Sequence, residues 1–453
     1  MAVERLPSGV DLATLAGRFP ERYPHLLESA LIGQAPARFS ILFAFPGRTL
    51  DASEPESLLA APDVDLASPP PGLQPAPEHA HLPFLGGWFL YVGYEFAWHL
   101  EPALGEFAPD PWLPTALATR FPAAVIHDHH EGVTWWVDAE GDPARRECLF
   151  TDLAGLREHP PRAQQARDGL LPGLVLQEDD PDYYRRAVRG ALEYIRAGDT
   201  FQANLSREWH GQAQSPLDTA ELYRRLRRAN AAPFAAWLRL PGGEVISSSP
   251  ERLVSAQDGV AETRPIAGTR RRDIDADADR RLSGELEVNR KERAEHVMLV
   301  DLERNDLGRV ARTGSVRVSE LMTIESYRRV HHIVSSITAH LRPGTPAREL
   351  LRATFPGGTI TGCPKIRSMQ VIQELEGRVP RGAYTGSCGY VSDHGRMDTN
   401  ILIRTLVVRD RELRFRAGAG IVADSDPDQE LAETRHKARG LLDALGVNAE
   451  PHG

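Results

Sequence analysis

The strand-forming runs of this chain come in blocks, and that arrangement narrows the folds open to it more than any other feature. FSILFAF (39–45), GGWFLYVGYEF (86–96) and GVTWWVDA (132–139) are rich in aromatic and β-branched residues and share one block. TFQANLSREWH (200–210) and the pair YVSD and MDTNILIRTLVVRD (390–410) supply others. Helical periods stand between the blocks: DYYRRAVRGALEYIRAGD (182–199), which stops near Gly198, then VNRKERAEHVMLVDLERND (288–306) and DPDQELAETRHKARGLLDAL (426–445). A doubly wound parallel sheet needs strand and helix to alternate. Blocks of strands joined by short turns predict instead an α+β fold with antiparallel sheets.

Two proline-rich passages punctuate the chain, LASPPPGLQPAPEHAHLP (66–83) and REHPPRAQQARDGLLPG (157–173). The second divides it into a β-rich N-terminal region, residues 1–165, and a larger domain, residues 170–446. Acidic residues outnumber basic ones 63 to 53, which argues against nucleic acid or an anionic membrane surface as partner. Cys148, Cys363 and Cys388 form no CxxC pair and are too few for a disulfide framework, as expected of a reducing compartment. MAVERLPSGVDLATLAGRFP carries charge where a secretion signal needs an apolar core, and no run reaches the roughly 20 apolar residues of a membrane span. The expectation is a soluble, cytoplasmic protein.

Several stretches place chemistry-bearing groups at useful spacings. Glu292 and Glu295 in ERAE, and Glu430 and Glu433 in ELAE, lie three apart on helices, so each pair points one way. If the helices face each other, hard oxygen ligands converge as Mg²⁺ requires; two solvated acidic faces are the commoner arrangement for such pairs. Lys437 follows Glu433 by one turn and can support the helix or hold an anion. In NILIRTLVV, Arg404 sits among apolar residues of an expected buried strand, where its guanidinium needs a carboxylate or phosphate partner, from the protein or from a ligand. RAGAGIVAD (416–424) reads as a bare-amide turn at Gly418, Ala419 and Gly420, and FPGGTITGCPK (355–365) as a glycine-rich loop opening a helix. Glu251 in SSSPERL and His332 in VHHIVSSI are titratable groups in apolar contexts. RPIAGTRRR (264–272) sets an apolar turn between arginines; Arg270, Arg271 and Arg272 read as a solvated exit from it.

In this order, SSSPERL, RPIAGT, ERAEHVMLVDLERNDLGRV, VHHIVSS, FPGGTITGCPK, LIRT, GAG and ELAETRHKA resemble the chorismate-utilising enzyme family over residues 175–445. The resemblance implies two large antiparallel sheets packed as a sandwich with helices outside, the site lying in the C-terminal half. It implies Mg²⁺ held by Glu295 and Glu433, with Glu292 and Glu430 in a second shell. It implies Glu251 as the general acid, with His332, Gln202 and Thr269 lining the reacting centre. Arg404, Tyr390, Gly418, Ala419, Gly420, Lys437, Thr361 and Ala267 are the implied substrate contacts. The N-terminal LLES resembles the family's tryptophan pocket, here Leu27, Glu28 and Ser29.

Within the family, water-using members carry a lysine base where this chain has Gln202, so the resemblance favours an amine nucleophile. QANLS and GGTITG resemble aminodeoxychorismate synthases, which aminate chorismate at C4 toward 4-aminobenzoate and folate. PIAGT, with Ala267 in place of the lysine of many such enzymes, resembles anthranilate synthases. The weight falls on the first class; the second is the alternative, and a non-catalytic tryptophan-binding subunit is a third reading. The chain holds no GxCxG glutaminase segment, so the resemblance implies ammonia supplied by a separate glutamine amidotransferase subunit.

Overall fold

Alternation along each strand sorts side chains into layers. In the strand Phe39–Ala44, Ile41 and Phe43 point into one apolar cluster and Leu42 and Ala44 into another. The computed structural model describes residues 1–30, 38–68, 75–158, 171, 173–272, 275–326 and 330–447; the tips of both proline-rich passages, and so the expected boundary between residues 165 and 170, fall outside them. Among these residues the strands form two antiparallel sheets, of 12 and 10 strands. The first cluster is the seam between the sheets. Phe43 meets Phe84, Phe89 and Phe121 there at ring distances of 5.0, 5.4 and 5.4 Å, and each buried ring contributes about 1.5–3 kcal/mol. The second cluster lies on the outer face of the larger sheet, under the helices Leu12–Arg18, Thr219–Ala229 and Pro427–Leu445. Helices also cover the smaller sheet, through Val300, Leu307, Leu350 and Leu351. The expected sandwich with outer helices is the fold observed.

Both regions build both sheets. His25–Glu28 pairs with Phe234–Leu240 in the larger sheet, and Gly87–Val92 pairs with Ser387–Ser392 in the smaller. The helix Pro181–Ala197 has the expected ends: Asp180 accepts from the Asp182 amide, Pro181 opens the first turn, and Gly198 closes it at φ +82°. Its buried face, Tyr184, Ala187, Val188, Ala191 and Leu192, packs on Leu205, Ala419 and Ile421. No helix among the described residues is long and apolar enough to cross a membrane.

Two expectations are corrected, and one helix is added to those expected. MDTNILIRTLVVRD is not one strand: Arg396–Asn400 belongs to the smaller sheet and Thr405–Arg409 to the larger, and residues 401–404 carry the chain across. An apolar crossing buried between sheets has the composition of a strand, so the sequence hides the break. Gly418–Ala419–Gly420 is not a turn but part of the strand Glu412–Ile421, paired with Ser206, Leu205 and Asn204. A Cβ at Gly418 would sit 2.5 Å from the Leu205 carbonyl and 2.7 Å from the Tyr384 hydroxyl, so these glycines make room for neighbours. Finally, a helix at Ala276–Val288, too polar to show a period, precedes Arg290–Gly308.

Candidate active site

The chain crosses between the sheets twice in one place. The strand Gly243–Ser249 lies in the larger sheet and Arg252–Gln257 in the smaller, so Pro250 and Glu251 make one crossing; Ile401–Arg404 makes the return. The crossings are bonded to each other: the Ser249 hydroxyl donates to the Ile401 carbonyl at 2.5 Å, the Ile401 amide to the Glu251 carbonyl at 3.0 Å, and the Ser248 amide to the Arg404 carbonyl at 3.1 Å. Residues 153 positions apart in sequence thereby share one spot.

Glu251 is buried, and burial pushes its carboxyl up to about 7, against the pull of the Thr359 hydroxyl, the Ile266 amide, Arg404 and Lys437. Arg404 holds φ +52°, a conformation that strains a side-chain-bearing residue. Among the described residues its guanidinium has no ion pair and no side-chain hydrogen bond, and burial lowers its affinity for the proton, opposed by Glu251. The internal salt bridge open to it from sequence is not there. A half-buried cation without a protein anion is the arrangement an anion site needs.

His332 is buried in the neighbouring strand, and its ring is pushed down to about 3 by burial and the Arg404 charge, against a hydrogen bond to the Gly268 carbonyl. It is a neutral imidazole. The PIAGT strand, Ile266–Arg271, thus holds both groups, Glu251 by the Ile266 amide and His332 by the Gly268 carbonyl. Ala267 lies between them opposite Ile333, and the Thr269 backbone pairs with His332 beyond a bulge; the Thr269 side chain is outside the described residues. Gly268 takes φ +63°, and a Cβ there would lie 2.7 Å from Glu292 Oε2.

That contact brings the Arg290–Gly308 helix to the site. Glu292 Oε1 accepts from Arg270 at 2.7 Å, while Oε2 is buried with no hydrogen-bond partner; Glu295 lies one turn on along the same face. Arg272 is paired with Asp279 at 2.7 Å. Arg270 and Arg272 are therefore not a solvated exit: they join the strand to the two helices that follow. The Arg271 side chain is outside the described residues. On the Pro427–Leu445 helix, buried Glu430 accepts from the Ser425 hydroxyl at 2.6 Å, and Glu433 forms an exposed pair with Lys437 at 2.7 Å. A buried carboxylate oxygen without a donor, beside further carboxylates, is a donor set that suits a hard divalent cation. Elsewhere His81, Asp128 and Glu131 bring possible ligand atoms within 4.8 Å of one another, but Arg38 binds both Asp128 oxygens and neutralises that carboxylate.

The opposite wall is the strand Gln202–Gln212. Gln202 and Asn204 are buried, and the Asn204 amide donates to the Thr361 carbonyl at 2.9 Å. Asn204 Oδ1 is buried without a hydrogen-bond partner, 3.0 Å from where a Gly418 Cβ would lie. Thr361 is fully buried and donates its hydroxyl to the Gly357 carbonyl at 2.8 Å. The Tyr384 hydroxyl reaches Gly418; Tyr390 instead packs against Phe84 in the seam, 5.9 Å between rings. The tyrosine at the site is thus Tyr384, missed because both residues flank the same glycine-rich GSCG.

Two buried charge clusters also went unread. Glu376 is bound by Arg381 at 2.6 Å and Arg416 at 3.2 Å, and Arg381 donates to the Asn204 carbonyl at 2.7 Å, fixing the wall. Glu303, Asp306 and Lys365 gather behind the Gly358 loop. Glu303 and Asp306 recur on one face of the Arg290–Gly308 helix, whereas Glu376, Arg381 and Arg416 come from a helix end, a loop and a strand and leave no local signal. In the N-terminal region, Leu27 faces the seam, Glu28 is bound by the Tyr223 hydroxyl at 2.5 Å and by Arg227 at 3.2 Å, and the Ser29 hydroxyl donates to the Pro233 carbonyl at 3.1 Å.

Comparison with known proteins agrees with this geometry. The family model described as chorismate binding enzyme matches residues 31–443. Anthranilate synthase component 1 of Aquifex aeolicus is 50% identical over 386 residues, 81% of this chain and 76% of that one. Aminodeoxychorismate synthase component 1 of Salmonella typhimurium is 38% identical over 422 residues, 90% of each chain. The crystal structure of anthranilate synthase component I from Streptococcus pneumoniae superposes with a TM-score of 0.75 at 32% identity, covering 91% of this chain and 93% of that one.

Proposed function

The chain belongs to the family of chorismate binding enzymes, and within it we propose that this protein aminates chorismate with ammonia at C4, forming 4-amino-4-deoxychorismate. The observation that carries the choice is the buried Asn204 Oδ1, which has no hydrogen-bond partner and lies against Gly418, on the strand whose backbone is bonded to Thr361. Asn204 and Thr361 belong to QANLS and GGTITG, the segments that resemble the C4-aminating class, and they meet on the wall beside Gly418. The alternative, anthranilate formation by amination at C2 with loss of pyruvate, is favoured by Ala267, which stands in the PIAGT strand between the Glu251 and His332 contacts.

In the proposed reaction Glu251 gives its proton to the departing 4-hydroxyl, which leaves as water. The ammonia nitrogen bonds to the ring carbon and loses a proton, so atoms and charge balance. A buried carboxyl that still holds its proton near neutrality suits this role. Neutral His332 lines the same space without competing as an acid, and Gln202 offers no base to activate water. Arg404 and Lys437 receive the substrate carboxylates, helped by the Tyr384 hydroxyl. Glu295 and Glu433 would hold Mg²⁺, with Glu292 and Glu430 behind them, and the ion would supply positive charge against the ring carboxylate. We assign the ammonia to a separate glutamine amidotransferase subunit, and the Leu27, Glu28 and Ser29 segment to a tryptophan pocket.

The test is product analysis by mass after incubation with chorismate, Mg²⁺ and ammonium salt, with pyruvate followed in parallel. An amino product that retains the enolpyruvyl group supports C4 amination. Anthranilate with one equivalent of pyruvate overturns it in favour of the alternative. No turnover, with tryptophan bound, supports the non-catalytic reading.

A further inference from the structure

The Arg290–Gly308 helix meets the smaller sheet through one face, on which Glu292, His296 and Val300 recur every four residues. Glu292 is bound by Arg270 at 2.7 Å, His296 by Ser335 at 2.6 Å, and Val300 packs in the same cluster as Ile337. Alternation puts His331, Ile333, Ser335 and Ile337 on the helix side of the strand Val330–His340. His296 and Ser335 are both fully buried. Met322, at φ +54° in a bulge of the strand Arg317–Ser326, donates its amide to the Ser335 hydroxyl oxygen at 2.9 Å. The hydroxyl proton then goes to His296 Nε2; the reverse assignment would leave both that proton and Nδ1 without partners. Burial keeps the imidazole neutral, and its Nδ1–H has no partner among the described residues. An apolar side chain would fill this space without burying an unmatched donor, so the ring is there for the bond that Nε2 makes.

We propose that His296 is a positioning residue for the divalent-cation site: together with the Arg270–Glu292 pair, its bond to Ser335 pins the helix on two successive turns, and Glu295, between the pins, is held at one angle. The proposal rests on the reading of Glu295 as a Mg²⁺ ligand. The two pins anchor in different strands, Arg270 in Ile266–Arg271 and Ser335 in Val330–His340, which are themselves paired from Ile266 opposite Val334 to Arg271 opposite Val330. A helix held at one point can swing about it. Held at two points one turn apart, on strands bonded to each other, it can neither turn about its axis nor slide along the sheet. Val330–His340 also carries His332, so the strand that lines the reacting centre is the one that seats the carboxylates. The same face of that strand fixes the preceding helix, Ala276–Val288, where His331 meets Asp279 at 3.0 Å.

The experiment measures Mg²⁺ binding to the full-length protein by calorimetry, with the Mg²⁺ concentration for half-maximal turnover and the melting temperature in parallel. Wild type is compared with His296→Ala, Ser335→Ala, the double variant and His296→Gln. Each alanine variant should weaken Mg²⁺ binding by about 10-fold, the lower end of the effect of groups that orient metal ligands. The double variant should lose no more than either single one, because the two side chains make one bond. His296→Gln, whose carbonyl can accept from Ser335, should stay within about threefold of wild type. Ser335→Ala opens little space and keeps the test available if His296→Ala does not fold. Wild-type Mg²⁺ affinity in the alanine variants overturns the proposal even where melting temperature falls, since lost packing alone lowers stability without touching the metal; so does a His296→Gln as weak as His296→Ala. Glu295→Gln runs alongside. If it binds Mg²⁺ like wild type, the metal reading itself is wrong; if it loses Mg²⁺ while Ser335→Ala and His296→Ala keep it, the His296 proposal alone fails.

Discussion

Glu376 and Glu251 are two glutamates buried to the same degree, 4% and 5% exposed, with opposite protonation. Burial pulls Glu376 upward as it does Glu251, yet the Arg381 and Arg416 guanidiniums and the Ser206 amide carry it below its ordinary value. Glu251 has a hydroxyl, an amide and a guanidinium that makes no ion pair with it, and rises to about 7. Burial therefore does not decide what a carboxyl does; the donors arranged around it do. Glu376 spends its charge on holding the strand that carries Asn204 and Ser206. Glu251 keeps its proton, and Arg404 beside it has no ion pair among the described residues.

The comparison can be broken in order of expected effect. Glu251→Gln should lower turnover by about 10²–10⁴-fold with the fold intact, measured by steady-state kinetics beside circular dichroism. Arg381→Met should do the reverse, costing about 3–5 kcal/mol of stability in urea unfolding, because it strips a partner from a buried charge. The two sites should also answer pH with opposite sign. Glu251 has a folded value above its unfolded 4.5, so its contribution is fully present below about 4.5 and is lost as pH rises through about 7. Glu376 has a lowered folded value, so its contribution is present above its unfolded value and is lost as pH falls through the folded one. Hence Glu251→Gln should gain on wild type by up to about 3 kcal/mol in unfolding free energy between pH 5 and 8. Arg404→Gln should raise the KM for chorismate by roughly 10- to 100-fold, the worth of a charge-assisted hydrogen bond, with stability little changed. Smallest of all, Thr359→Val removes a group that favours ionised Glu251, and should move the alkaline limb of the rate profile upward by less than about one pH unit.

The contrast also explains what the sequence made legible. Periodicity and caps marked the helices at Gly198 and at Asp426–Pro427, because those signals are local. Glu251, His332 and Arg404 stood out because a charge in an apolar run is conspicuous, and the structure brings them together. The partners of a charge are not local. Whether Arg404 had a protein carboxylate, and whether Arg270 met solvent or Glu292, depended on residues far away in sequence. The crossing at residues 401–404 was hidden because burial between sheets demands the same side chains as burial within one. Tyr384 was passed over for Tyr390 since only strand register shows which ring enters the seam.

The most direct test is an isotope-edited infrared titration of glutamate carboxyls in the ligand-free protein, taken as the difference between wild type and Glu251→Gln. A protonated carboxyl that disappears near pH 7 in the wild type and is missing from the variant is the expected result. A Glu251 signal that titrates near 4.5 would mean the buried acid is already ionised when chorismate arrives, and would contradict its role as proton donor.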